Sequence, residues 1–223
     1  MEFVVEDIKK SFKKKKVLDG VSFTVSSGQC IGILGGNGSG KSTLLKILGG
    51  ISSADSGRLV FDNRDFLKDL KHLPNIVGYV PQDNPLIEEL TAYDNLRLWY
   101  SDEQISKELG QGLLSMLGVG EFLGATVRNM SGGMKKRLSI ACTVLNRPLL
   151  MLLDEPASSL DIPCKENIYD YLNAYKNQGG SIILVTHDVR EMELCDKLYI
   201  MRNGKLVDFV YDNNMDEMAR LMV

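Results

Sequence analysis

Three short apolar runs punctuate the chain: Cys30–Leu34, residues 149–153 and residues 182–185. Unbroken apolarity over four or five residues marks a strand covered on both faces, as in a parallel sheet packed between helices. Residues Val77–Val80 form a further short strand, stopped by Pro81. The opening is different. Phe3-Val4-Val5 and residues 17–25 read as antiparallel strands, with Lys13-Lys14-Lys15-Lys16 as a solvated turn between them. Asp55-Ser56-Gly57 predicts a turn before a strand at residues 58–61. Asn203-Gly204 predicts a two-residue hairpin joining residues 198–201 to residues 205–210.

Helical spacing fills the rest. Lys41–Leu48 reads as a helix entered directly from a glycine-rich loop. From residue 84 to 129 the character turns helical, with Thr91 as a cap and Ile105, Leu109, Leu113, Met116 and Leu117 near helical spacing. Gly110 and Gly112 weaken that segment. A strong amphipathic helix follows Ser131, with Met134, Leu138, Ala141 and Leu145 on one face, and a short helix is expected from Asp212. There is no internal repeat or low-complexity tract. The pattern predicts one α/β unit over residues 1–223, with a parallel-sheet core (1–83 and 131–223), an antiparallel β portion and a helical subdomain inserted at about 84–130.

A length of 223 residues suits one such domain. The net charge of −3 lacks the basic surplus of a phosphate-backbone binder, so no nucleic-acid partner is expected. Cys30, Cys142, Cys164 and Cys195 have no CxxC spacing and no nearby histidine, which argues against zinc or disulfides and for a reducing compartment. The first residues lack a signal-peptide layout, and no apolar run nears the ~20 residues needed to span a bilayer. The expectation is a soluble cytoplasmic protein whose membrane role, if any, comes through a partner.

Gly35-Gly36-Asn37-Gly38-Ser39-Gly40-Lys41-Ser42-Thr43 fits G-x-x-x-x-G-K-[ST] between an apolar strand and a helix. Glycines let backbone N–H groups approach phosphates, and the helix points its positive end at them. Lys41 is expected on the β- and γ-phosphates of ATP, and the Ser42 hydroxyl on Mg²⁺. The second apolar run ends in Asp154-Glu155, two carboxylates at the C-terminal end of a buried strand, where open α/β sheets bind ligands. Asp154 is the candidate Mg²⁺ partner. Glu155 is the candidate base for the attacking water, a role worth roughly 10²–10⁴ in rate.

Met130-Ser131-Gly132-Gly133-Met134 then resembles the LSGGQ signature of the ATP-binding cassette (ABC) ATPases. The resemblance covers essentially the whole chain. It implies a P-loop NTPase (RecA-like) α/β core in which Ser131, Gly132 and Gly133 complete the ATP site of the other subunit. On the same resemblance Gln82 is the Q-loop glutamine that contacts Mg²⁺ or the water, and Ser158-Ser159-Leu160-Asp161 is the D-loop. Likewise His187 lies near the γ-phosphate and Phe12 stacks on adenine. It implies a homodimer or related cassette heterodimer formed on ATP binding. It also implies a separate transmembrane permease docking near residues 82–100, including Tyr93, Trp99 and Tyr100, and so a peripheral place on the inner membrane face. Read alone, Trp99 packs within the helical subdomain. Met134 replaces the usual Gln, and Lys135-Lys136-Arg137 follows, which is similar to the branch of ABCA and multidrug-export ATPases. The competing readings are a non-transport ABC ATPase, of iron–sulfur assembly or cell-division type, and a module that binds ATP without turnover. Lys41, Asp154, Glu155 and His187 argue against the last.

Overall fold

The computed structural model describes residues 2–144, 146–158 and 160–212. Leu145, Ser159 and the helix expected beyond Asp212 lie outside them. The chain opens with β1 (Glu2–Phe12) and β2 (Lys15–Ser26), then β3 (Cys30–Leu34) and α1 (Lys41–Leu48). Next come β4 (Ser56–Phe61), β5 (Arg64–Asp65) and β6 (Val77–Val80), then the helices α2 (Ala92–Arg97), α3 (Asp102–Gln111) and α4 (Leu113–Met116). The second half runs α5 (Gly132–Val144), β7 (Leu150–Asp154), α6 (Ile162–Asn177), β8 (Ser181–Val185), α7 (Val189–Glu193), β9 (Lys197–Arg202) and β10 (Lys205–Phe209).

Two sheets organise these elements. One is antiparallel, in the order β2-β1-β4-β5; the other has the order β10-β9-β3-β8-β7-β6 and is parallel except for β10. Side chains alternate across a strand, so each buried strand serves two layers. Ile31, Ile33, Leu150, Leu152, Ile183 and Val185 face a core that also holds α1 and the antiparallel sheet. Met151, Leu153, Ile182 and Leu184 face the opposite core, shared with α2 to α6. The helical insert is thus continuous with the underside of the parallel sheet. No helix among the described residues is long and apolar enough to cross a membrane.

Several local expectations shift. Only Lys13 and Lys14 form the turn; Lys15 and Lys16 already belong to β2. β4 begins at Ser56, inside the predicted turn, because β1 continues far enough to pair Lys9 with Ser56. The insert is less helical than its spacing suggests: Gly112 adopts an extended conformation that separates α3 from α4, and two short 3-10 turns follow. The expected buried run slides by one residue, leaving Leu149 exposed and ending β7 at Asp154. Trp99 is 66% exposed rather than packed inside the insert, whereas Tyr100 is buried and hydrogen-bonded to the Cys142 carbonyl. All four cysteines are free, yet Cys30 Sγ and Cys195 Sγ lie 3.6 Å apart, a proximity that spacing along the chain could not reveal. The sixteen-residue α6 was not foreseen, although Asp161 caps it and Cys164, Ile168, Tyr171 and Leu172 bury one face.

Ile183 lies mid-strand, fully buried, between Ile31 and Leu152. Ile183→Ala is expected to destabilise the fold by about 2–5 kcal/mol, read as a lower urea midpoint with an unchanged slope.

Candidate active site

The C-terminal ends of β3, β6, β7 and β8 lead into the candidate residues. The loop after β3 reaches α1 through Gly40, whose φ of 114° is left-handed and whose added Cβ would meet the Val17 carbonyl at 2.9 Å. No side chain caps α1, so its first N–H groups are free to hold an anion. Lys41 is buried; its Nζ donates to the carbonyls of Gly35 (2.6 Å) and Gly36 (3.0 Å), which aims the ammonium along the loop. Burial lowers its pKa, while the charges of Glu155 and Asp154 oppose that shift.

Residues 37–43, Phe12, Val17, Gln82, Glu155 and His187 line a single cavity of about 670 Å³. Phe12 is 51% exposed at the end of β1, with Lys10 Nζ 5.4 Å from its ring centroid, so one face of the ring holds a cation. Asp154, the last residue of β7, is buried and accepts a long 3.5 Å hydrogen bond from Tyr79. Burial and the Asp154 charge raise the pKa of that phenol. The next residue, Glu155, takes a φ of 48°, a left-handed conformation uncommon for a residue with a side chain. Its N–H is held by the Val185 carbonyl at 2.9 Å. Its carboxylate accepts from Gln82 Nε2 at 3.2 Å and lies 3.6 Å from His187 Nε2. Burial, then the Lys41 charge, lower the His187 pKa against the pull of Glu155, favouring the neutral imidazole.

Ser131, Gly132 and Gly133 do not line this cavity. Ser131 is exposed, and its Oγ accepts from Met134 N–H at 3.2 Å, capping α5. Gly133 fits only as glycine, because a Cβ there would meet Cys164 Sγ at 2.5 Å. Asp161 accepts from Cys164 N–H at 3.0 Å, capping α6.

One residue of this region escaped the sequence reading. Glu191 is 1% exposed; it accepts from Ala157 N–H at 3.1 Å and from the Thr186 hydroxyl. It therefore ties the segment after Glu155 to the segment holding His187. Its polar neighbours in sequence suggest an exposed helix, and only the fold turns it inward.

A family model for the ABC transporter matches residues 18–158. The lantibiotic transport ATP-binding protein SrtF of Streptococcus pyogenes is 32% identical over 219 residues, covering 96% of this chain and 94% of that protein. The chain belongs to the ABC transporter family. The cassette is also 36% identical over 203 residues to the Nod factor export ATP-binding protein I of Rhizobium sp. (strain N33), covering 89% and 67% of the two chains. A solved dimeric post-hydrolysis structure of the ATP-binding cassette MJ0796, bound to ADP and Pi, superposes with a TM-score of 0.79 at 26% identity, covering 92% and 96% of the two chains. The ABC cassette is an ATP-binding, ATP-hydrolysing subunit with the P-loop α/β fold.

Burial pushes the Glu191 carboxyl from about 4.5 up to about 7, with the Thr186 hydrogen bond acting against it. Between those values the folded cassette binds more protons here than the unfolded chain. The group's contribution to stability therefore falls as pH rises through that window and is flat outside it. Relative to Glu191→Gln, wild type is expected to lose on the order of 3 kcal/mol across the window, measured by urea unfolding at several pH values. A difference independent of pH would refute the assignment.

Proposed function

We propose that this ABC cassette is the energy-coupling subunit of a membrane exporter, in which two copies, or this chain and a related cassette, close head to tail over two ATP molecules. The carrying observation is that one cavity gathers Phe12, the loop at residues 37–43, Gln82, Glu155 and His187, while Ser131 lies outside it and faces solvent. A cap with an exposed serine beside two glycines suits a phosphate brought by another subunit. The dimeric post-hydrolysis MJ0796 cassette supports that arrangement.

In this reading Phe12 offers its free ring face to adenine, and Gly35 to Thr43 wrap the phosphates. Lys41 and the start of α1 neutralise charge on the β- and γ-phosphates, and His187 adds a hydrogen bond near the γ-phosphate. Glu155 accepts the proton of the attacking water, held in place by Gln82. The oxygen donors nearby, the Ser42 hydroxyl, the Gln82 amide and the buried Asp154 carboxylate, are hard ligands that suit Mg²⁺. When bound there, Mg²⁺ would supply positive charge that offsets the charge of the phosphates.

The direction of transport rests on relatives named for lantibiotic transport and Nod factor export. Residues 82–100 are the proposed docking surface for the permease, and the exposed Ile87, Leu98 and Trp99 support it. Tyr100 is buried and takes no part. Such docking would hold the cassette on the inner membrane face.

Glu155→Gln keeps the shape of the side chain but not its basicity. ATP turnover is expected to fall by about 10²-fold or more, while ATP converts the variant from monomer to dimer on size exclusion. Hydrolysis at the wild-type rate would remove Glu155 from its role. A variant that stays monomeric in saturating ATP would remove the head-to-tail dimer.

A further inference from the structure

Lys135, Lys136 and Arg137 form one basic run in the sequence but occupy three different environments. Lys135 reaches Glu88 at the surface, 3.4 Å away. Arg137 is buried, donating to the Leu117 carbonyl at 3.1 Å and lying over the Phe122 ring. Lys136 turns into the protein. It is 3% exposed, and its Nζ donates to the carbonyls of Pro81 at 2.9 Å and Gln82 at 2.8 Å.

Burying an ammonium is costly, and an apolar side chain could fill the same space without that cost. Burial brings the Lys136 pKa down to about 8, even with the carboxylates of Asp154, Asp83, Glu191 and Glu155 acting the other way. What the charge provides is a two-point grip on the backbone of the loop that carries Gln82. That loop's side chain in turn donates to Glu155. On the other side, Lys136 and Ser131 belong to the same helical segment, with Ser131 as its cap. Five residues of helix put the two about 7.5 Å apart along the axis, so they share the first turns of one helix.

We propose that Lys136 is a positioning residue that locks the Ser131 helix to the Gln82 loop, so that each chain's grip on its partner's nucleotide and the setting of its own Gln82–Glu155 pair become one movement. The inference rests on the head-to-tail dimer above. It gives the two ATP sites a direct mechanical connection within one polypeptide, since each chain's α5 serves one site and its Gln82 loop serves the other.

The test uses the full chain as wild type, Lys136→Met and Lys136→Arg. Lys136→Met keeps the aliphatic stem and removes the donors; Lys136→Arg restores donors for two carbonyls. Trinitrophenyl-ATP binding and the melting temperature are measured alongside steady-state ATPase activity. Lys136→Met is expected to bind the analogue within about twofold of wild type, with kcat reduced about tenfold or more and KM little changed. Its Hill coefficient for ATP is expected to fall towards one, and Lys136→Arg to recover most of the lost kcat. Wild-type kcat and Hill coefficient in Lys136→Met would overturn the proposal. So would a joint fall of binding, melting temperature and kcat that Lys136→Arg leaves unrepaired, which would mark a packing role. If Lys136→Met does not fold, Lys136→Gln is held to the same criteria. ATP-driven dimerisation of Glu155→Gln separates the two readings. If that variant dimerises and Lys136→Met turns over normally, only the Lys136 link fails; if it stays monomeric, both fall.

Discussion

The strands β3, β7 and β8 are sealed between two apolar layers, and a sealed strand can release its polar groups only where it ends. Their C-terminal ends share one edge of the sheet because the strands run parallel in register, with Ile33 opposite Val185 and Asp154 opposite Val185. Glycine loop, carboxylates and histidine are therefore neighbours by construction, though they lie far apart in the chain. The cavity is a consequence of how the core is closed.

A second tier of polar contacts sets these strand ends against one another. Gln82 after β6 meets Glu155 after β7, and Glu155 approaches His187 after β8. Behind them Glu191 joins Thr186 to Ala157, and Lys136 clasps the carbonyls of Pro81 and Gln82. Half of these links fasten main chain, and backbone is what must be held if loops are to keep a fixed separation. Buried polar groups that are fully paired give that kind of definition.

The parallel core was legible because its strands are short, apolar and bounded by glycine or acid. The glycine loop was legible because phosphate binding demands small residues at fixed spacing. The cap at Thr91 and the Asn203-Gly204 hairpin also read correctly, each through a local rule of backbone chemistry. What failed depends on tertiary contact. Trp99 looks like a core residue in any composition, yet it faces outward, while Tyr100 beside it finds a carbonyl partner inside. Lys136 and Glu191 look like ordinary surface charges because sequence records no burial. Asp161 and Pro163 mark the start of α6, but its buried face is built largely from Cys164, Tyr169 and Tyr171, which give a weaker helical apolar stripe than leucines would.

The left-handed backbone at Glu155 limits how that position can change. A strand continued in regular pleat would have turned Asp154 and Glu155 to opposite sides; the twist swings the second carboxylate towards the ends of β6 and β8 instead. The Val185 carbonyl anchors the same residue by its N–H, so the main chain has no slack with which to follow a shorter acid. A β-branched replacement would face steric penalty from the backbone as well as chemical loss. Reach is thus set by the length of one side chain, and the methylene separating glutamate from aspartate is what carries the carboxylate to Gln82 and His187.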